Sequence, residues 1–289
     1  MKKVVILGCE NSHANAFLRF IKEDERYKDV QVVGIYSDET EAMQKLATEF
    51  GVPCMQSYDE LVGKVDGVII TARHGDNHYK YAKPYISSGV PMFIDKPITV
   101  SEEEAIAFAK DLQANGVAVT GGSSCHYEKT VLKLQEQVKN NVYGKTVGGF
   151  VKAPLNSKIG YGGFFFYAQH LVEITATIFG HYPKAVKVYQ NAENYTVIFR
   201  YADYDVTALY AEGCYSYYAL RCAQERDEGG VLSIDANCYA ADFATYYQLL
   251  CGGAQQTSYK DFVAPVFVMN AIKRAIDSGK EESVKEFEI

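Results

Sequence analysis

The first residues with chemical potential lie in the turn Gly8-Cys9-Glu10-Asn11-Ser12-His13. The turn follows the apolar run KVVILG (3–8) and precedes a stretch with Ala16, Phe17, Phe20 and Ile21 on one helical face. A strand that ends in glycine and leads into a helix is where a dinucleotide-binding unit places its phosphate loop. Glycine there admits a tight turn and close approach of backbone to pyrophosphate, and the helix N-terminus attracts the anion. Measured against G-x-G-x-x-G, Gly8 holds the first position, but Glu10 and His13 stand at the second and third. Asn11 and Ser12 can turn the chain or cap the helix. A Glu10 carboxylate beside a pyrophosphate is repulsive unless it points away. The turn alone therefore reads equally as a dinucleotide loop and as a plain strand-to-helix connection. The run VQVVGIY (30–36) ends at Ser37-Asp38, where Asp38 either bonds ribose hydroxyls or caps the helix that follows.

Other reactive side chains are ambiguous by themselves. Lys96, between Asp95 and Pro97, reads as a surface lysine at a strand end. His170, on an apolar helical run (about 162–179), reads as a hydrogen-bonded core histidine. Phe164-Phe165-Phe166-Tyr167 is either an aromatic wall facing a substrate or core packing. His13, His74, His78, His126 and His181 are scattered; His74 and His78 are four apart, but His74 falls in a loop, so no metal site is expected. The seven cysteines, Cys9, Cys54, Cys125, Cys214, Cys222, Cys238 and Cys251, are odd in number and contain no CxxC. Reduced thiols in a cytoplasmic protein are expected, rather than a disulfide framework or a zinc site.

Positioning these groups requires an alternating fold. Strand-like runs KVVILG, VQVVGIY, DGVIITA (66–72), PMFID (91–95) and GVAVTG (116–121) are separated by helical stretches at about 15–23, 39–50, 78–88 and from Ser101 towards Gly116. The last opens with Ser101-Glu102-Glu103-Glu104, a capping box. Short apolar strands alternating with helices predict a parallel sheet covered on both faces. After about residue 120 the pattern changes. A helix (about 127–140) and the turn NVYGKT precede the alternating runs KTVGGFVKA, KAVKVYQ, YTVIFRY, YDVTALYAEG and GGVLSIDA. Fifteen of the 23 tyrosines fall in the last 139 residues, and aromatic residues suit a pleated, half-buried surface. This half is expected to be an antiparallel sheet, with a last helix at about 261–278. Two units, 1–120 and 121–289, are expected, with no flexible spacer between them.

Asp95-Lys96-Pro97 at a strand end, His170 on its helix, the spacing from Gly8 to Asp38, DGVIITA followed by His78, and the helix ending in NNVYGK resemble the Gfo/Idh/MocA family of NAD(P)-dependent oxidoreductases over nearly the whole chain. The resemblance implies an α/β fold: an N-terminal Rossmann-type parallel sheet plus a C-terminal α/β domain with a large, mostly antiparallel sheet. It implies NAD or NADP as cofactor, a sugar- or polyol-like substrate, and a homodimer or higher homo-oligomer. It places Lys96 and His170 at the reacting carbon. Along the cofactor it places Gly8, Glu10, Asn11, Ser12, His13, Ser37, Asp38, Thr71, Ala72, Arg73, His78, Asp95 and Lys96. Near the substrate it places His126, Tyr127, Tyr161, Phe166 and Tyr167. Hydride chemistry needs the cofactor, since no side chain carries a hydride. The proton needs a group with pKa near working pH, which suits His170 or a buried Lys96, and Lys96 can also stabilise a developing alkoxide.

The chain departs from the family pattern at several of these positions. In the family's helix motif the acid falls at Phe166 and the glycine before the histidine at Ala168. Tyr161 or Tyr167 are substitute proton sources, although Tyr167 lies about 100° round the helix from Phe166. The acidic position of the second strand falls on Ser37, with Asp38 one later; no Arg follows to meet a 2′-phosphate and Asp38 would repel it, so NAD is favoured over NADP. Thr71-Ala72-Arg73 replaces the usual Thr-Pro, and His126-Tyr127 replaces an Arg-aromatic pair. Two rival readings follow: a ligand-binding protein without turnover, and a redox-neutral enzyme that retains NAD.

Composition narrows the field. The 289 residues are 48% hydrophobic and 22% charged, with a formal charge of -7. That suits a soluble globular protein with a sizeable core. No basic stripe argues for nucleic acid or an anionic membrane surface, and no apolar run approaches the roughly 18–20 residues a membrane span needs. The opening Met1-Lys2-Lys3-VVILGC reads as a buried strand rather than a signal peptide, because its apolar stretch ends at Glu10-Asn11-Ser12-His13.

Overall fold

A computed structural model describes residues 1–289. Five parallel strands, β1 (Lys2–Leu7), β2 (Val30–Tyr36), β3 (Gly67–Ile70), β4 (Met92–Asp95) and β5 (Val119–Gly122), form one sheet in the order β2-β1-β3-β4-β5. Val4–Leu7, Val68–Ile70 and Met92–Ile94 are fully buried, as expected of strands covered on both faces. The covering helices are α1 (Ser12–Glu23), α2 (Thr40–Phe50), α3 (Asp76–Ile86) and α4 (Glu102–Ala114). α1 starts earlier than its apolar spacing suggested, because Asn11 caps it by accepting a hydrogen bond from the Ser12 amide at 2.8 Å. α2 ends at Gly51 with φ +70°, a left-handed cap that glycine adopts without strain. Only half of the expected capping box forms on α4: Ser101 Oγ accepts from the Glu104 amide at 3.0 Å, and no return bond from Glu104 is made.

The second half contains α5 (Lys129–Lys139), β6 (Thr146–Leu155), α6 (Phe164–Phe179), β7 (Ala185–Asn191), β8 (Asn194–Arg200), β9 (Asp205–Glu212), β10 (Tyr217–Ala223), β11 (Glu228–Leu232), α7 (Ala236–Leu250), α8 (Tyr259–Ser278) and the short β12 (Glu282–Ser283). Its sheet has seven strands in the order β11-β10-β6-β9-β8-β7-β12. The sheet is mostly antiparallel, as expected: β6 and β9 run parallel, while the other neighbours are antiparallel. Three elements went unread in the sequence: β10, α7 and the short β12. α6 lies on the sheet, buried nearly all round between β6, α5 and α8.

The apolar core runs without a break from Val68 and Ile94 of the first sheet to Val151, Val197 and Phe199 of the second. A separate cluster joins α1 and β1 to α7 through Phe17, Phe93, Phe243 and Tyr246. The chain thus crosses back late in its course to cover the first sheet. Phe243 is fully buried against Phe17 and Tyr27. Truncating such a ring typically costs about 3–5 kcal/mol, so α7 is an integral part of the first layer.

Candidate active site

A cavity of about 230 Å³ opens at the carboxyl ends of the parallel strands, between the first turn, Lys96, the start of α6 and β10. Its chemistry centres on Lys96 and His170, both of which line it. Lys96 follows β4 and is 5% exposed. Its Nζ donates to the Phe166 carbonyl at 3.1 Å and sits 3.6 Å from the centre of the Phe166 ring. Burial lowers the lysine to about 8, with the neighbouring Asp95 carboxylate opposing the fall. His170 places Nδ1 2.6 Å from Ser123 Oγ. Burial, then the positive charge of Lys96, holds this imidazole well below its usual pKa, so it is neutral. Ser123 is itself fixed, because its amide donates to the Glu173 carboxylate one turn along α6 from His170. The Cys125 thiol lies 3.5 Å from His170 Nδ1; burial pushes it up to about 12, so it stays protonated.

Asp95 lies behind the lysine and is fully buried. It accepts from Asn11 Nδ2 at 2.6 Å and from the Lys96 amide at 2.7 Å. His13 bridges this acid to a second one: Nδ1 is 3.0 Å from Asp95 Oδ2, and Nε2 is 3.6 Å from Asp242 Oδ2 on α7. Burial works against the His13 charge, but the two carboxylates outweigh it and raise its pKa to about 9. Asp95 is held low because His13 outweighs its burial, whereas burial dominates at Asp242 and pushes that acid up.

The end of β2 differs from the expectation. Glu10 turns away from the first turn of α1 and reaches across the sheet edge. Ser37 Oγ donates to its Oε2 at 2.6 Å, and the Arg73 amide donates to its Oε1 at 2.9 Å. Asp38 instead accepts from the Tyr36 hydroxyl at 2.7 Å and pairs with Lys80 at 3.5 Å. It does not cap α2, whose N-cap is Glu39 and has no side-chain bond. Gly8, with φ +98°, is required for close packing: a Cβ there would lie 2.1 Å from the Ala72 amide nitrogen. Thr71 Oγ1 donates to the Gly8 carbonyl at 2.6 Å and ties the same two strand ends together.

Several expected site residues lie elsewhere or serve the frame. His78 is fully buried, with Nε2 2.8 Å from the Ala72 carbonyl, and burial keeps it neutral; it braces the loop after β3. His126 and Tyr127 turn away from the Lys96 cavity into a different one of about 300 Å³ between β5, α5, α6, α7 and α8. There His126 faces Glu173 at 3.8 Å, and the Tyr127 hydroxyl donates to Thr245. They are thus not part of the wall around Lys96, because the turn at Ser124–Tyr127 points its first half and its second half to opposite sides. Phe166 and Tyr167 do line the Lys96 cavity, and Tyr161 lies just outside, under the Arg73 guanidinium, 5.0 Å from ring centre to carbon. Ser123, Cys125, Tyr215, Tyr217, Tyr239 and Asp242 went unread; the tyrosines belong to the Tyr-rich segment already noted, and Asp242 breaks the apolar stripe of α7. No three His, Cys, Asp or Glu side chains converge to hold a metal.

Residues 2–123 match a family model described as an oxidoreductase family with an NAD-binding Rossmann fold, GFO_IDH_MocA. A curated relative, glucose-6-phosphate 3-dehydrogenase of Bacillus subtilis (strain 168), is 24% identical over 162 residues, covering 55% of this chain and 44% of the relative. The match thus spans less than half of that relative's length. Two solved structures share the fold from end to end. The myo-inositol 2-dehydrogenase from Lactobacillus plantarum superimposes with a TM-score of 0.85 at 13% identity, covering 98% of this chain and 99% of that one. The scyllo-inositol dehydrogenase from Lactobacillus casei, with bound NAD(H) and scyllo-inositol, gives a TM-score of 0.84 at 11% identity and the same coverage. Over residues 2–123 the chain is thus similar to the Gfo/Idh/MocA oxidoreductase family and its NAD-binding Rossmann fold.

Proposed function

We propose that this protein is an NAD(P)-dependent oxidoreductase that moves a hydride between a nicotinamide and a hydroxyl-bearing carbon of a sugar- or polyol-like substrate. The observation that carries this reading is a buried Lys96, lowered to about 8, beside a neutral His170 in one cavity at the strand ends.

The residues fit a dinucleotide. The first turn of α1 holds no acid, and Asn11 takes only the Ser12 amide, so the remaining amides of that turn and the helix dipole are free for a pyrophosphate. The cofactor, when bound, supplies the hydride acceptor. Lys96 is the group suited to receive the hydroxyl proton at Nζ, because His170 is too weak a base near neutral pH. With Nδ1 held by Ser123, His170 has Nε2 left to orient that hydroxyl. Phe166 takes the place of the family acid and holds Lys96 with its carbonyl and ring face. Glu10, rather than Asp38, supports a choice of NAD: two of its acceptor positions are used by Ser37 and Arg73, others remain for ribose hydroxyls, and its charge opposes a 2′-phosphate. Tyr167, Phe166 and Tyr161 flank the substrate side. We further read the chain as two units divided near residue 120, acting in the cytoplasm as a homodimer; no helix is long and apolar enough to cross a membrane.

The test is calorimetric titration with NAD(H) and NADP(H), after mass spectrometry for copurified nucleotide, followed by a polyol screen for NADH formation. Binding with NADH formation, lost in Lys96→Met while the nucleotide still binds, is expected. Retained nucleotide with product but no net NADH would make the enzyme redox-neutral. Absence of any nucleotide binding would sink the reading in favour of a ligand-binding protein.

A further inference from the structure

The Lys96 cavity has no carboxylate in its wall. Its charged side chains are Arg73, Lys96 and His13. His13 is balanced from behind by Asp95 and Asp242, and Lys96 is held by the Phe166 carbonyl. Arg73 is different. Its amide is bonded to Glu10, but its guanidinium makes no hydrogen bond and no ion pair, and its Nε is buried without a partner. The group lies over the Tyr161 ring, its Cζ 5.0 Å from the ring centre, and its charge reaches both Lys96 and Tyr167. A desolvated donor left unpaired is costly, and a guanidinium fork matches a carboxylate or a phosphate in geometry. Tyr167, Tyr215, Tyr217 and Tyr239 form the facing wall, offering ring faces and hydroxyls to a hydroxylated ring.

We propose that the substrate is an anionic sugar derivative, bearing a carboxylate or a phosphate that the Arg73 guanidinium clamps while the ring lies against the tyrosine wall. This rests on the oxidoreductase reading of the same cavity. The cofactor's pyrophosphate is the other anion within reach of this end of the sheet, and the test separates the two.

The experiment is calorimetric titration of the protein, with and without saturating NADH, by D-glucuronate, D-glucose 6-phosphate, D-glucose and myo-inositol. It is run on the wild type, Arg73→Met and Arg73→Lys, with NADH affinity measured for each. At least one anionic probe should bind the wild type roughly 10- to 100-fold more tightly than either neutral probe, the range expected of a charge-assisted clamp. Arg73→Met should erase that preference, Arg73→Lys should restore part of it, and any loss in NADH affinity should be clearly smaller than the loss for the anion. Neutral probes binding as tightly as the anions would overturn the proposal. So would an Arg73→Met loss in NADH affinity equal to the loss for the anion, since the guanidinium would then serve the pyrophosphate. Arg73-dependent binding of an anion by a protein that binds no NADH would uphold this inference and remove the oxidoreductase reading. Binding of neither NADH nor any probe would remove both.

Discussion

At the scale of single residues, the proposed reaction makes Lys96 the group that should set the pH behaviour. Lys96 can accept a proton only in its neutral form, and its pKa is brought to about 8 by burial. Oxidation, read as kcat/KM, should therefore rise with pH and level off above about 8, with the reverse reduction favoured below it. A profile that stays flat across this range would take Lys96 out of proton transfer. Phe166→Asp should place a carboxylate against the ammonium, raise the lysine's pKa and move the ascending limb to higher pH. Much of this centre was legible in the sequence, because Asp95-Lys96-Pro97 and His170 sit at recognisable places in the order of elements. The roles of the surrounding acids were not legible. Whether Glu10 or Asp38 faces the cofactor depends on a hydroxyl of Ser37 and an amide of Arg73, which meet Glu10 only after three strands have been laid side by side.

At the scale of elements, α7 and the start of α1 are bound by a buried ionic link. His13 stands between Asp95 and Asp242, and all three are buried. Its folded pKa, about 9, lies above the unfolded value of 6.5. Stability from this link is therefore fully present below pH 6.5 and is lost as pH rises through 9. The shift corresponds to on the order of 3 kcal/mol, a large share of the roughly 5–15 kcal/mol that separates folded from unfolded states. The raised pKa of Asp242 acts in the same direction. Urea midpoints should fall between pH 6.5 and 9 in the wild type. His13→Ala should be destabilised by about 3–5 kcal/mol at pH 6.5, because two acids are left facing each other, and Asp242→Asn in that background should recover part of the loss. Equal midpoints for wild type and His13→Ala at pH 6.5 would show that the link adds nothing. α7 escaped sequence reading for the same reason that it matters: Cys238, Phe243, Tyr246 and Leu249 have helical spacing, but the ionic Asp242 lies in the middle of their stripe. β10, YYALRCA, has two tyrosines but no β-branched residue, so only part of the usual sign of a strand was present.

At the scale of the whole molecule, the second sheet has one face without a cover. Register places Leu220, Phe150, Thr207, Ile198 and Lys187 in one row across β10, β6, β9, β8 and β7, and Tyr218, Lys152, Leu209, Thr196 and Tyr189 in another. None of these residues is buried, whereas the intervening row of Ala219, Val151, Ala208, Val197 and Val188 is buried under the helices. The open rows are richer in apolar and aromatic side chains than a solvent-facing sheet needs, the composition expected of an association surface. Two such faces related by a two-fold axis would pack as a sandwich, and a standard interface needs only about 800 Å² from each partner. Light scattering should give a particle of twice the 32.2 kDa chain mass. Ile198→Lys with Leu209→Lys should convert it to a monomer, since the axis brings like charges together. Both positions are half-exposed on the open face, so circular dichroism should show the fold retained. A wild-type monomer, or a double variant that still dimerises, would place the contact elsewhere. None of these open-face residues lines the Lys96 cavity, so nucleotide affinity should survive in the monomer. A parallel loss of nucleotide binding would mean that the sheet face positions α6, which carries His170 on its other side.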